Sequence, residues 1–276
     1  MRIVNLVENT EGAPGCGAAH GLSFYIETAG GRRLLMDTGP SDLLAGNAAA
    51  LGVDLVRVDT VVLSHGHYDH SDGLPALHTI NPRARIYLRQ NAAADYCADD
   101  GDGRGMHYIG IDRAIPTFPG LIWVEGDLRI DDELQLFTNI RGRKLWPEGN
   151  ARLMRRVNGA CVQDDFSHEQ CLVITEGSWQ VLLSGCAHNG ILNILDRCVE
   201  VTGRAPDAVI SGFHMMKRTP YTERERATIA DTARELTRWP CAFHTGHCTG
   251  LPAYEIMKEI MGDQLHYVHC GEAVEL

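Results

Sequence analysis

The sequence predicts an α/β protein with helices on both faces of central sheets. Three observations carry this. Short apolar runs such as Thr60-Val61-Val62-Leu63 and Arg85-Ile86-Tyr87-Leu88 have the length of buried strands. Twice along the chain such runs lead through a polar, Gly-bearing loop into a segment of helical pattern. Residues 171–175 and 179–184, joined by Glu176-Gly177-Ser178, carry the punctuation of a hairpin.

Taken in order, residues 1–7 and 22–27 read as strands. The Gly-rich connection at 11–20 between them is able to reach over a site. Residues 33–36 form a strand ended by Asp37-Thr38-Gly39-Pro40, and 41–51 suit a helix with Ser41 as N-cap. The strand at 60–63 precedes a polar loop and a short helix at 71–77. A strand at 85–88 is followed by a helical stretch at 90–96. Residues 97–118, which include Asp99-Asp100-Gly101-Asp102-Gly103-Arg104-Gly105, have no clear period and read as a loop and candidate lid. Strands follow at 121–124 and 134–139. Downstream of the hairpin, a helix at 191–201, a strand at 207–211, a helix opened by Thr222 and running to 238, a strand at 241–243, a helix at 252–261 and a strand near 265–268 complete the pattern. No linker, repeat or low-complexity tract interrupts it, so one domain is expected over 1–276.

A net charge of −11 argues against a nucleic-acid backbone or an anionic membrane as main partner, but not against a small anionic substrate at a metal site. No apolar run reaches the roughly 18 residues of a membrane span. Met1 to Val7 meets Glu8 and Glu11 too soon for a signal-peptide apolar region. Nine cysteines, odd in number and never spaced C-x-x-C, suit buried reduced thiols in a cytosolic, cytoplasmic protein. Arg141, Arg143, Lys144, Arg152, Arg155 and Arg156 form a basic stretch in an acidic chain. It is either a solvated loop or a recognition element for an anionic group.

The chemistry concentrates in Ser64-His65-Gly66-His67-Tyr68-Asp69-His70. Three histidines and a carboxylate within six residues, directly after a buried strand, are donors suited to zinc, manganese or iron. Three further loops repeat the grammar of strand, glycine and histidine: Gly185-Cys186-Ala187-His188, Gly212-Phe213-His214 and Thr245-Gly246-His247. Strand ends are where distant residues converge in an α/β sheet.

The His65-x-His67-x-Asp69-His70 motif, with Met36-Asp37-Thr38-Gly39 before it, resembles the signature of the metallo-β-lactamase superfamily. The segments from Ser184 to Asn193, Gly212-Phe213-His214 and His247-Cys248-Thr249-Gly250 are similar to a narrower branch. That branch is named for 7,8-dihydropterin-6-yl-methyl-4-(β-D-ribofuranosyl)aminobenzene-5′-phosphate synthase. The resemblance implies an αββα sandwich of two mixed sheets flanked by helices, with two divalent metal ions, zinc first and manganese or iron as alternatives. It implies one ion held by His65, His67 and His188 and the other by Asp69, His70 and His247. Asp37 would orient a ligand imidazole. Relatives place a bridging Asp where this chain has Cys186, which leaves three options: a Cys186 thiolate, His188 in the strand-end role, or one tight and one weak ion. His168 is a further candidate for the third histidine.

The implied activity is hydrolysis by a metal-activated water, most simply of a phosphoester or similar small, pterin-related anion. Asp69 would accept a proton and His214 would contact the substrate or leaving group. The alternatives are hydrolysis of a lactone, thioester or C–N bond, and a non-catalytic sensor on the same fold.

Overall fold

The buried apolar runs pair into three sheets in the computed structural model, which describes residues 1–101, 103 and 105–276. Asp102 and Arg104 of the proposed lid therefore lie outside the described residues. The chain divides into two compact units, one of 1–125, 153–164 and 268–276 and the other of 126–152 and 165–267.

The first unit is built on a seven-stranded mixed sheet. Its strand order is Ala273–Glu275, Arg2–Val7, Ser23–Glu27, Arg33–Met36, Thr60–Val62, Arg85–Arg89, Leu121–Val124. The first four strands pair antiparallel, and the last four pair parallel. Arg33–Met36 and Thr60–Val62 are parallel neighbours, so the loops that leave their carboxyl ends, at Asp37 and Ser64, emerge side by side. Helices Leu43–Ala50 and Leu74–Ile80 set Leu44, Ala48, Leu74 and Leu77 against Leu6, Leu35, Val61 and Leu88. Each large apolar side chain buried there contributes about 2 kcal/mol before the entropy of ordering it is counted. A four-stranded antiparallel sheet completes this unit, in the order Ala160–Gln163, Leu153–Val157, Tyr96–Ala98, His107–Tyr108.

The second unit holds the other seven-stranded sheet: Leu265–Tyr267, Ala242–Thr245, Ala208–Ile210, Trp179–Leu183, Cys171–Glu176, Leu134–Phe137, Leu128–Arg129. Its first four strands are mutually parallel and the rest antiparallel. Helices Ile191–Thr202, Glu223–Leu236 and Leu251–Met261 pack Leu195, Ala233 and Met257 with Val173, Leu182, Val209 and Phe243. Thr222 caps its helix as expected, in a reciprocal capping box with Glu225. Both units are α/β with mixed sheets, the class the sequence predicts.

Local expectations fail where short-range pattern is a poor guide. The 90–96 stretch is a turn leading into the strand Tyr96–Ala98, because Tyr96 pairs with Arg155 and its hydroxyl donates to the Asn91 carbonyl. The helix expected at 71–77 is two pieces, Tyr68–Ser71 and Leu74–Ile80. Ser41 accepts from the Leu43 N–H at 3.3 Å, yet Asp42 holds the N-cap position and makes no side-chain bond there. The final strand Ala273–Glu275 escaped the sequence reading, and it pairs with Arg2–Val7. Among the described residues, no helix is long and apolar enough to cross a membrane.

Candidate metal centre

In the first unit the histidine loop begins at the end of the strand Thr60–Val62. Gly66 is required by a close approach: a Cβ there would lie 2.2 Å from the Ala92 carbonyl oxygen. Asp37, fully buried and left-handed at φ 62°, ends the neighbouring strand and organises the loop. Its Oδ1 accepts from the Ser64 N–H at 2.7 Å, and its Oδ2 accepts from the Ser64 hydroxyl at 2.7 Å. The same Oδ2 lies 2.7 Å from His70 Nδ1.

These bonds settle two tautomers. A carboxylate only accepts, so His70 Nδ1 carries the proton. Ser64 has spent its single hydroxyl hydrogen on Asp37, so His65 Nδ1, 2.8 Å from Ser64 Oγ, must be the donor in that contact. In the neutral form of both rings the lone pair then lies on Nε2, which is the form a cation needs. The rings of His67 and His70 stand 4.6 and 4.2 Å from that of His65. Asp69 Oδ2 is 3.6 Å from His70 Nε2. The orientation expected of Asp37 is thus present in the geometry. His20 lies at the end of the Gly-rich connection, with Nε2 3.4 Å from Asp69 Oδ2 and nearly half its side chain exposed. The sequence marked that connection as one that reaches over a site, but did not single out His20.

In the second unit the candidate residues leave the ends of three parallel strands. His188 follows Trp179–Leu183, His214 follows Ala208–Ile210, and His247 and Cys248 follow Ala242–Thr245. Ala187, His214 and His247 all sit in the left-handed region, at φ 55°, 49° and 49°. His188 is held by residues the sequence reading did not nominate. Asn150 donates from Nδ2 to the His188 carbonyl at 2.7 Å, which turns Oδ1 toward His188 Nδ1 at 3.0 Å. Nδ1 is therefore the protonated nitrogen here also. Buried Glu169 accepts from the His188 and Asn189 N–H groups at 2.7 and 3.0 Å. Burial raises the Glu169 carboxyl above the ordinary range, and the bonds from Asn189 and His188 oppose that rise. The only signal in the sequence was the neighbourhood of His168.

The His188 ring stacks on Phe166 at 4.6 Å and lies 4.2 Å from the His214 ring. His168, fully buried, has its ring 5.9 Å from that of Phe166. Ring or sulfur donor atoms of Cys186, His214 and Cys248 lie within 4.8 Å of one another. Burial would push the Cys248 thiol up, but bonds from Cys186 and His214 and the nearby imidazoles outweigh it and hold the thiol well below its usual range. Much of the basic stretch is engaged: Lys144 pairs with Glu235 and Arg156 with Asp95. Arg143 instead reaches the His188 loop, donating to Asn189 Oδ1 at 3.1 Å, with its guanidinium over the Trp146 ring.

Residues 16–143 match the family model described as the metallo-beta-lactamase superfamily. A crystal structure of Tm1679, described as a metal-dependent hydrolase of the β-lactamase superfamily, superposes with a TM-score of 0.81 at 29% identity. The match covers 100% of this chain and 99% of the other. The chain is thus similar to proteins of the metallo-β-lactamase superfamily in both sequence and fold. It is also 25% identical over 278 residues to a Methanocaldococcus jannaschii protein named 7,8-dihydropterin-6-methyl-4-(beta-D-ribofuranosyl)-aminobenzene-5'-phosphate synthase, covering 93% of this chain and 90% of that one. Zn2+-bound PqqB of Methylobacterium extorquens shares the fold at 14% identity and a TM-score of 0.60, with 100% of both chains covered. Metallo-β-lactamase superfamily proteins typically bind divalent metals, and the histidine, aspartate and cysteine groups described above are able to do so.

Proposed function

We propose that this protein is a metal-dependent hydrolase acting on a phosphoester or similar small anionic substrate, with pterin-related compounds the first class to try. The observation that carries the reading is the Asp37 network. A fully buried carboxylate fixes His70 directly and His65 through Ser64, each with its lone pair on Nε2. That tautomer anchors the loop on Asp37 and at the same time presents the Nε2 lone pairs that a ligand requires. His65, His67 and His188 are proposed to hold one divalent cation, and Asp69, His70 and His247 the second, with zinc the preferred metal. Bound there, a divalent cation acidifies water to near neutral pH and polarises the bond under attack.

The remaining work falls to the chain's own groups. Asp69 accepts a proton at Oδ2, and His20, 3.4 Å away and half in solvent, passes it out. Arg143 docks the anionic part of the substrate, its guanidinium steadied by Trp146 and Asn189. His214, whose ring lies 4.2 Å from that of His188, is proposed to contact the substrate or the leaving group.

The likeness to a protein named a synthase makes bond formation on a pterin-related substrate the second reading. Metal analysis with turnover of bis-p-nitrophenyl phosphate tests the first. The expected result is two divalent ions per chain and hydrolysis abolished by Asp69→Ala. Full metal loading without hydrolysis across phosphoester, lactone and thioester panels would sink the hydrolase reading.

A further inference from the structure

The second unit carries a cavity of about 350 Å³ that none of the candidate metal donors lines. Leu192 and Asp196, one turn apart on helix Ile191–Thr202, form part of its wall, with Lys144, Glu235, Arg238 and Trp239 supplying the rest. The volume falls at the low end of the roughly 300–1,000 Å³ that small-molecule sites occupy. Leu192 belongs to the apolar core, and the half-buried Trp239 packs against the same core. The Trp239 backbone is held at both groups. Its N–H donates to the Leu236 carbonyl at 3.0 Å, and its carbonyl accepts from Gln264 Nε2 at 2.7 Å.

Charge in the cavity is unevenly paired. Glu235 accepts from Lys144 Nζ at 2.5 Å and from Arg238 Nη1 at 2.6 Å. Two cations share that one carboxylate, so one positive charge is left over. The Lys144 bond, with help from Arg238 and against the pull of burial, holds the Glu235 carboxyl below its ordinary range. Asp196 is exposed and has no cationic partner among the described residues, while its neighbour Arg197 pairs with Asp127 and Glu200. The cavity thus offers one uncompensated cation, one uncompensated carboxylate, and an apolar surface that includes an indole ring.

One wall of the cavity is tied to the His188 loop. Asn193 Oδ1 accepts from the Lys144 N–H at 3.0 Å, and its Nδ2 donates to the Lys144 and Asn189 carbonyls at 3.0 and 2.8 Å. Gly142 leaves room for this clamp, since a Cβ there would sit 2.3 Å from Asn193 Oδ1. The next residue, Arg143, donates to the side chain of the same Asn189 and lies over the Trp146 ring. Consecutive residues therefore serve two places: Lys144 the cavity, and Arg143 the loop that carries His188.

We infer that this cavity is an effector site for a small zwitterion of the amino-acid class with an apolar side chain. Its ammonium pairs with Asp196, its carboxylate with Lys144 and Arg238, and its side chain lies on Leu192 and Trp239. A carboxylate that draws Lys144 from Glu235 pulls on the segment that carries Arg143, so occupancy is felt at the Trp146 ring. This holds whether or not the chain is a hydrolase, because the readouts are binding and ring environment.

Fluorine-19 NMR of the full chain labelled with 5-fluorotryptophan tests it, with Trp123, Trp146, Trp179 and Trp239 assigned by single Trp→Phe replacements. The probes are L-phenylalanine, phenethylamine with the ammonium alone, and 3-phenylpropionate with the carboxylate alone. L-Phenylalanine is expected to shift the Trp239 resonance saturably below about 10 mM, to shift Trp146 with the same midpoint, and to leave Trp123 and Trp179 in place. Each single-charge probe, and L-phenylalanine with Asp196→Asn or Lys144→Met, is expected to bind roughly 10-fold more weakly or worse. No saturable shift of Trp239 overturns the site. A single-charge probe that binds as well as L-phenylalanine overturns the zwitterion, and a Trp239 shift without one at Trp146 overturns the coupling. If a variant fails to fold, the comparison of the three probes on the wild-type chain still decides.

Discussion

The two units prepare their histidines in different ways. In the first, one charged carboxylate, Asp37, governs a donor set that is contiguous in sequence, with His65 and His70 both answering to it. In the second, a neutral amide, Asn150, fixes His188 alone, and the other donors come from separate strand ends. The lesson is that one tautomer is reached either by ionic or by amide hydrogen bonding. The ionic arrangement concentrates more stability in one residue, since bonds to charged groups contribute about 1.5–3 kcal/mol against about 1 for neutral ones.

That contrast is open to direct attack. The largest effect is expected from Asp37→Ala. It strands the Ser64 N–H and hydroxyl and the His70 N–H in a fully buried site. A loss of about 3 kcal/mol or more in urea-monitored unfolding is expected, with metal affinity of the histidine loop down roughly 10- to 100-fold by competitive chelator titration. Next comes Asn150→Ala, which removes the partner of the His188 carbonyl and Nδ1–H. About 2 kcal/mol and a smaller fall in affinity are expected in the same assays. If Asn150→Ala proves as costly as Asp37→Ala, the distinction between ionic and amide anchoring fails.

The smallest effect sharpens the comparison from outside the donor sets. In the second unit His244 stacks beside His266 on neighbouring strands, with ring centroids 5.2 Å apart. Burial, with a smaller contribution from the positive charge of His266, pulls its pKa down to about 4. The unfolded chain therefore binds a proton that the folded chain refuses between pH of about 6.5 and about 4. The sign follows: this contribution to stability is present above the unfolded value and is lost as pH falls through that window. Discounted for partial exposure, it is worth about 1–2 kcal/mol. His244→Phe should flatten this part of the unfolding free energy measured against pH. An unchanged slope would show that the imidazole is not the responsible group.

What the sequence made legible follows the same division. The histidine loop was readable because its donors are neighbours in the chain and the strand before it is an unbroken apolar run. Asp37 was readable because it ends a strand of its own within a recognisable turn. Asn150 and Glu169 were not, since they meet His188 only through pairings 38 and 19 residues apart, in a stretch whose charges drew attention elsewhere. His20 was hidden for the opposite reason: its connection is too Gly-rich to show any period, and only tertiary structure brings it to Asp69. The strand Ala273–Glu275 is three residues long and takes its identity from its partner Arg2–Val7, which no local pattern encodes. The turn at 90–94 has a helical composition, overridden by sheet pairing through Tyr96.

The left-handed residues Asp37, Ala187, His214 and His247 have a consequence for how such a chain changes over time. At each position an L side chain carries backbone strain of about 1 kcal/mol, and the strain lies beside the candidate donors. Glycine would remove that strain at all four addresses, but at Asp37, His214 and His247 it would delete a side chain nominated for the candidate site. Selection for thermal robustness and selection for donor placement therefore pull in opposite directions there. Ala187 is the exception: glycine is available to it without touching a donor, and drift toward glycine is expected there first.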